Sequence, residues 1–236
     1  MLVGDIPSAR SRRVYRSLST HVLRCGDIPV PIALASVPTT QTGRVPDVAV
    51  IDELLPVLAA DSLPRLIVLG ADASLAAVLT HLMRTERLHV EVGFVPVETT
   101  YASRVYQTAT GNAAAKIALD GRAIETPLIR DDTGTVLVGR ASITGVDGAK
   151  LEGEAYVDDA LLFTGTVTTM LISPTMTMPG VRARVRKGLR KRTWVSGRAA
   201  QLGTPGGIVT RDGITAERTV PRSTFYRFEQ PWLLVR

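Results

Sequence analysis

The residues best placed to do chemistry lie in one short run, Gly70-Ala71-Asp72-Ala73-Ser74. It sets the smallest side chains available around a single carboxylate. The apolar residues Leu66 to Leu69 precede it. Leu75, Val78, Leu79, Leu82 and Met83 follow at helical spacing, so a helix is expected from about Ser74. A strand, a small-residue turn and a helix in that order aim backbone N–H groups and a helix N-terminus at one point, the geometry of an anion site. The same residues suit an ordinary tight turn capped by Ser74, because tight turns select small side chains on steric grounds alone. From the residues, both readings are open.

Charge marks a second stretch. The chain carries +6, unevenly spread: between Asp159 and Asp212 there is no acid and nine basic residues, so that segment holds +9 and the remainder −3. Seven of the nine are Arg182, Arg184, Arg186, Lys187, Arg190, Lys191 and Arg192. Val181-Arg-Ala-Arg-Val-Arg186 alternates with period two, which places its arginines on one face of a strand. Such a face is either a solvated edge guarded by charge or a surface for an anionic partner. Four or five of these cations near an anionic bilayer supply about 4–5 kcal/mol, enough for reversible attachment. A nucleic acid is the weaker partner, because aromatic residues hardly interleave with the arginines and only Trp194 is close.

The other reactive residue types form no constellation. His21, His81 and His89 share no metal-ligand spacing, no metal cluster is evident, and no Ser/His/Asp arrangement appears. The single cysteine, Cys25, excludes an intramolecular disulfide, suits a reducing cytosol and reads as a small core residue.

A scaffold must position these groups. Met1-Leu2-Val3 reads as the stub of a first strand with residues 4–10 as its loop; Val14, Leu18, Val22 and Leu23 fit one face of a helix reaching Arg24. Pro31 to Ala35 reads as a second strand. Val48, Ile51, Leu54, Leu55 and Leu58 give a helix with tension at Pro56. After the organising strand and helix come a strand over Val90–Pro96 and a long helix from about Tyr101 to Leu119, stopped by Asp120-Gly121. Strands alternating with helices indicate a parallel sheet with helices on both faces, whose loops at 4–10, 70–74 and 97–101 would converge on a ligand. Beyond Arg122 the texture becomes short β-forming runs punctuated by glycine turns, such as Thr133–Gly139 and Val167–Ile172. The fold class expected is α/β: a parallel-sheet, nucleotide-binding-like domain over 1–122, followed by an antiparallel β-rich domain over 123–236.

At 236 residues and 45% hydrophobic, the chain can bury a sizeable core. No apolar stretch follows Arg10, Arg12 and Arg13 as a secretory signal requires. The uncharged run from Ala160 to Val181 contains Gly165, Pro174, Pro179 and six threonines, and so reads as strands and turns. A cytoplasmic protein, peripheral at a membrane through its basic segment, is the expectation.

The loop at 70–74 resembles the Gly-Gly-Asp-Gly-Thr loop of the diacylglycerol kinase, sphingosine kinase and NAD kinase superfamily, with Gly70, Ala71, Asp72, Ala73 and Ser74 in the five places. That superfamily follows its fourth strand with Gly-Ile-Ile-Pro-Leu-Gly-Thr-Gly-Asn-Asp. Here Gly93-Phe-Val-Pro-Val-Glu-Thr-Thr-Tyr-Ala102 lies in register, matching at Gly93, Pro96 and Thr99; a one-residue gap instead sets Ala102-Ser-Arg104 over the family's Phe-Ala-Arg. Near its C-terminus the family has Asp-Gly-Glu, and Asp212-Gly213-Ile214 matches the first two residues. The family's two-part plan covers most of the chain, with the tail Phe228–Val235 returning to the first domain.

The resemblance implies an ATP- and Mg²⁺-dependent lipid kinase with nucleotide at Gly70, Ala71, Asp72, Ala73, Ser74 and Thr99, and with Asp72 and Asp212 as catalytic carboxylates. Three loops depart from the family pattern. Alanine replaces two loop glycines, and its Cβ narrows the backbone's approach to phosphate or disfavours a φ > 0 conformation. Glu98 sets a carboxylate where phosphates would lie. Ile214 stands where the family has its active-site glutamate and cannot act as a base. Asp72 can act through Mg²⁺ or simply cap its helix. The functional expectation is a diacylglycerol-kinase-like protein with weak or lost activity. The alternative is a non-catalytic binding or scaffold protein attached to a protein partner or an anionic membrane.

Overall fold

The computed structural model describes residues 20–58, 64–188 and 190–236. The expected strand at 1–3, the loop at 4–10 and the helix positions Val14 and Leu18 lie outside the described residues.

The first layer system runs β1 (Thr20–Cys25), β2 (Thr39–Thr42), α1 (Val48–Leu58), β3 (Arg65–Leu69), α2 (Asp72–Arg84), β4 (Glu91–Val95), α3 (Tyr101–Tyr106), α4 (Gly111–Asp120) and β5 (Ala123–Thr126). Its sheet has the order β2-β1-β3-β4, then β18 (Trp232–Val235), then β5. All pairings are parallel except β18 with β5. Each inner strand is apolar on both faces, as a sheet covered on both sides requires. Leu66 and Val68 pack under α1 and α2, while Ile67 and Leu69 pack against Ala114, Ala115 and Ala118 of α4. The returning tail inserts between β4 and β5, where Trp232 is buried edge-on against Tyr106 with ring centroids 5.3 Å apart.

Three local expectations are corrected. Thr20–Cys25, expected at the end of a helix, is a strand, so His21 lies on a strand as well. Leu23 and Cys25 face one core and Val22 the other, so the apparent helical spacing was two-faced strand burial. Ile32–Leu34, expected as a strand, is one turn of 3₁₀ helix between prolines, with Ile32 89% exposed. The strand beside β1 is instead Thr39–Thr42, a polar edge strand with no apolar signal. The single helix expected over 101–119 is two, because Gln107 closes α3 in the left-handed region (φ 53°) and Gly111 restarts the chain at φ +55°.

The rest is antiparallel: β6 (Ile129–Asp131), β7 (Val136–Leu137), β8 (Ala141–Thr144), β9 (Leu151–Val157), β10 (Ala160–Val167), β11 (Thr169–Pro174), β12 (Val181–Lys187), β13 (Arg190–Lys191), β14 (Val195–Gly197), β15 (Ala199–Arg211), β16 (Ile214–Thr215) and β17 (Val220–Arg227). They form one twelve-stranded sheet wrapped around a core that includes Ile143, Phe163, Ile172, Ala183, Val209 and Phe225. The long strand β15 ties it together, pairing with β8, β9 and β17. The fold is α/β with a parallel-rich sheet followed by a large antiparallel one.

Candidate functional site: a divided interdomain cleft

The loop after β3 delivers Gly70 to the carboxyl end of the sheet, and α2 starts at Asp72. Gly70 is needed for room: a Cβ there would come within 2.6 Å of Ser74 Oγ and 2.9 Å of Cys25 Cβ. Ala71 is extended at φ −91°, so its Cβ strains nothing. The backbone N–H of Ala71 donates to Ser74 Oγ at 3.2 Å, and Ser74 Oγ donates to the Arg44 carbonyl at 2.7 Å. An N–H that would meet a phosphate is therefore already engaged within the loop.

Asp72 does not face the solvent. It is 7% exposed, its Oδ2 accepts from the backbone N–H of Ala102 at 3.1 Å, and its Oδ1 is enclosed without a hydrogen-bond partner. It thus holds the start of α3 against the start of α2, close to a capping role but for a neighbouring helix. Asp212 has a similar occupation. From the left-handed backbone position after β15 (φ 47°), its Oδ1 accepts from the N–H groups of Gly139 (2.8 Å) and Arg140 (2.9 Å). Its Oδ2 accepts from Val138 at 2.9 Å. Burial pushes the Asp212 carboxyl up to about 7; the negative charge of Asp72 adds to the rise and the three backbone donors oppose it. Buried Tyr106 lies in the same field: burial and then both carboxylates push its hydroxyl upward.

Two hollows flank this carboxylate pair. One, of about 470 Å³, opens at the end of the parallel sheet, where Gly70, Ala71, Ser74, Arg44, Asp27 and Glu98 are among its lining. The other, of about 370 Å³, lies between α2 and the antiparallel sheet, with Ala73, Ala76, Thr80, His81, Asp212 and Ile214 among its lining. His81 Nε2 sits 2.7 Å from Asp52 Oδ1 at its edge, and Arg211 is ion-paired with buried Asp131. Exposed Ile214 thus adds apolar surface to the second hollow.

The residues expected to form one site are therefore divided. Gly70, Ala71 and Ser74 border the first hollow, Ala73 and Asp212 the second, and Asp72 is buried nearby. Thr99 is exposed and outside the lining of the first hollow; its neighbour Thr100 lines it and caps α3, accepting from Ser103 N–H at 3.0 Å. The basic residues Arg182, Arg184 and Arg186 lie on β12 and line neither hollow. Sequence reasoning missed Gly139, which joins the two carboxylates; a Cβ there would sit 2.7 Å from Asp72 Oδ2. No local signal marks it, since its role exists only where α2 meets β8. Cys25 is a core residue whose thiol burial pushes up to about 11, with a Ser74 hydrogen bond opposing.

The described residues do not fit Mg-ATP well. The first hollow offers Arg44 against Asp27 and Glu98, and no three His, Cys, Asp or Glu side chains among the described residues converge as metal ligands. Asp72 Oδ1, a carboxylate oxygen without a hydrogen-bond partner among the described residues, is shut inside the protein.

No protein-family model matches the chain. No curated protein matches it either. Solved structures do. A diacylglycerol kinase from Bacillus anthracis str. Sterne superposes with a TM-score of 0.72 at 12% identity, over 92% of this chain and 96% of that one. An NAD kinase from Archaeoglobus fulgidus in complex with ATP gives 0.60 at 12% identity, over 92% and 93%. A yeast NADH kinase complexed with NADH gives 0.52 at 9% identity, over 93% and 83%. The chain has the fold these kinases share.

Proposed function

We propose that this chain is a degenerate lipid-kinase-like protein that holds a hydroxyl-bearing amphiphile in the hollow beside Asp212 and has lost efficient phosphoryl transfer. The observation that carries this reading is the occupation of both cleft carboxylates by backbone N–H groups: Asp72 by Ala102, and Asp212 by Val138, Gly139 and Arg140. A catalytic carboxylate must reach substrate or metal, and one that fastens two elements together has a structural task instead. The hollow itself supports an amphiphile. Its walls are largely alanine, valine and isoleucine, with Thr80, His81, Arg84, Thr135, Arg211 and Asp212 as polar points for a hydroxyl-bearing head group.

A second reading, slow residual transfer, is favoured by one observation. Asp212 borders this hollow, burial pushes its carboxyl up to about 7, where a general base works best at neutral pH, and its Oδ2 accepts one hydrogen bond among the described residues. The test is incubation of the full chain with radiolabelled ATP, magnesium and mixed-lipid vesicles. The proposal expects no transfer above background, together with saturable uptake of a fluorescent diacylglycerol analogue that I214R abolishes. Transfer that disappears in D212N would establish the residual enzyme instead.

A further inference from the structure

The hollow beside Asp212 has a basic lip built from both halves of the chain. Arg84, exposed at the end of α2, lines the hollow, and Arg130 comes from β6. The two meet at Gly134, in the turn between β6 and β7. Beyond its chain neighbours, a Cβ built on Gly134 would have two atoms of the described residues within 4 Å, Arg84 Nη2 at 3.8 Å and Arg130 Nη1 at 3.9 Å. Glycine suits the backbone there, at φ +75°, and keeps side-chain bulk out from between the two guanidinium groups.

Neither cation is neutralised. Arg84 Nη2 donates one long hydrogen bond to the Gly134 carbonyl, at 3.3 Å, which draws it toward the turn. The carbonyls that end α2 have other partners: those of His81, Leu82 and Met83 accept from the backbone N–H groups of Thr85, Arg87 and Glu86. Arg130 is stacked on Tyr226 and Phe228, with its guanidinium carbon 5.1 Å from each ring centroid. Its Nε is enclosed without a hydrogen-bond partner. No ion pair among the described residues includes either arginine, or Asp132, which is exposed in the same turn. Buried Asp131 is committed elsewhere. It pairs with Arg211, and its Oδ1 fixes the turn by accepting from the N–H groups of Thr133 (2.9 Å) and Thr135 (3.0 Å).

Stacking fixes the plane of a guanidinium group, and planar N–H forks that converge without a carboxylate are suited to an oxyanion. Thr135, next to Gly134, lines the hollow as Arg84 does, so an anion at this turn adjoins the apolar walls directly. We propose that Arg84 and Arg130 form an oxyanion site on the lip of the hollow, which selects an amphiphile with an anionic head group over a neutral one. The inference rests on the hollow holding an amphiphile and adds the charge of its head. A monoacylglycerol phosphate, with one anion, one free hydroxyl and one apolar chain, has the required chemistry.

The test is displacement of the fluorescent diacylglycerol analogue from the full chain by monodecanoylglycerol and by its phosphate monoester. These share chain and hydroxyl and differ in the anion. The phosphate should displace the analogue at roughly tenfold lower concentration, equivalent to about 1.4 kcal/mol. R84Q/R130Q should remove that advantage and leave the neutral ligand unaffected. Inorganic phosphate should compete with the phosphate ester and not with monodecanoylglycerol. Equal displacement by the two ligands, or an advantage that survives in R84Q/R130Q, overturns the proposal. If the analogue is not taken up at all, the reading of the hollow fails by itself, and the oxyanion site is judged by phosphorus NMR of inorganic phosphate. Line broadening by the parent but not by R84Q/R130Q sustains the site, and its absence overturns it. Should the double variant fail to fold, R84Q alone, at an exposed helix end, must still cut the advantage several-fold.

Discussion

The backbone N–H of Gly139 donates to Asp212 Oδ1 at 2.8 Å, while the position of its absent Cβ lies 2.7 Å from Asp72 Oδ2. One glycine thus separates two carboxylates that come from the α/β region and the antiparallel region. Its carbonyl accepts from Ser173 Oγ at 3.0 Å, so β11 is tied to the same point. Replacing it should be felt as strain across the junction. G139A places a methyl 2.9 Å from both the Ala102 nitrogen and Tyr101 Cβ, and these are not free ends that can swing away. We expect a loss of about 1–3 kcal/mol in urea unfolding, the usual range for overpacking. An unchanged midpoint would mean that the junction is loose.

Asp212 makes a pH prediction with a definite sign. Its folded carboxyl, pushed up to about 7 from 3.8, holds a proton that the unfolded chain releases. The native state therefore binds more protons between about pH 4 and 7, and stability contributed through this group falls as pH rises across that window. D212N should flatten that part of the stability profile relative to the parent, though it also sacrifices acceptor capacity toward the backbone of 138–140. D72N should lower the Asp212 midpoint in carboxyl NMR, because the charge of Asp72 helps to raise it. A midpoint that stays put in D72N would show the two groups to be uncoupled.

Nucleotide binding should be poor, and not because of the alanines. Mg-ATP is expected to bind in the millimolar range, about −4 kcal/mol, by calorimetry. Ala71 is unstrained and Ala73 lines the other hollow, so A71G/A73G should leave the affinity within a few-fold of the parent. Micromolar binding by the double variant would show that the two methyl groups were the obstruction after all.

Arg65 is the hinge of the first sheet's far end. It pairs with buried Glu91 and donates to the carbonyls of Ala118, Leu119 and Gly121, closing the end of α4. R65A leaves Glu91 buried without a partner and these carbonyls without their donor. A loss of about 3–5 kcal/mol is expected. The double variant R65M/E91L should recover much of it, since an apolar pair carries no charge to bury.

Cys25 should be inert in the folded chain. At 2% exposure, with its thiol pushed up to about 11, it holds little thiolate near pH 8. Its reaction with a disulfide reagent should be slow and accelerate only as urea unfolds the protein. Cys25 borders the first hollow, so rapid reaction in the native state would mean that the hollow widens enough to admit the reagent to its thiol.

What the sequence determined by itself is what depends on near neighbours. Leu66–Leu69 and the spacing of Leu75, Val78, Leu79 and Leu82 specify β3 and α2 because burial on both faces of a strand and on one stripe of a helix leaves a periodic trace. The arginine alternation of β12 is legible for the same reason. The fold's resemblance to lipid kinases survived in the order of its loops, although their residues had changed. Only the tertiary structure decided what the carboxylates do. A carboxylate's role depends on what its oxygens meet, and the partners of Asp72 and Asp212 lie 30 and 72 to 74 positions away, as backbone N–H groups that carry no side-chain signature. Likewise Ala71 and Ala73, two positions apart, border different hollows because the start of α2 turns successive residues to different sides.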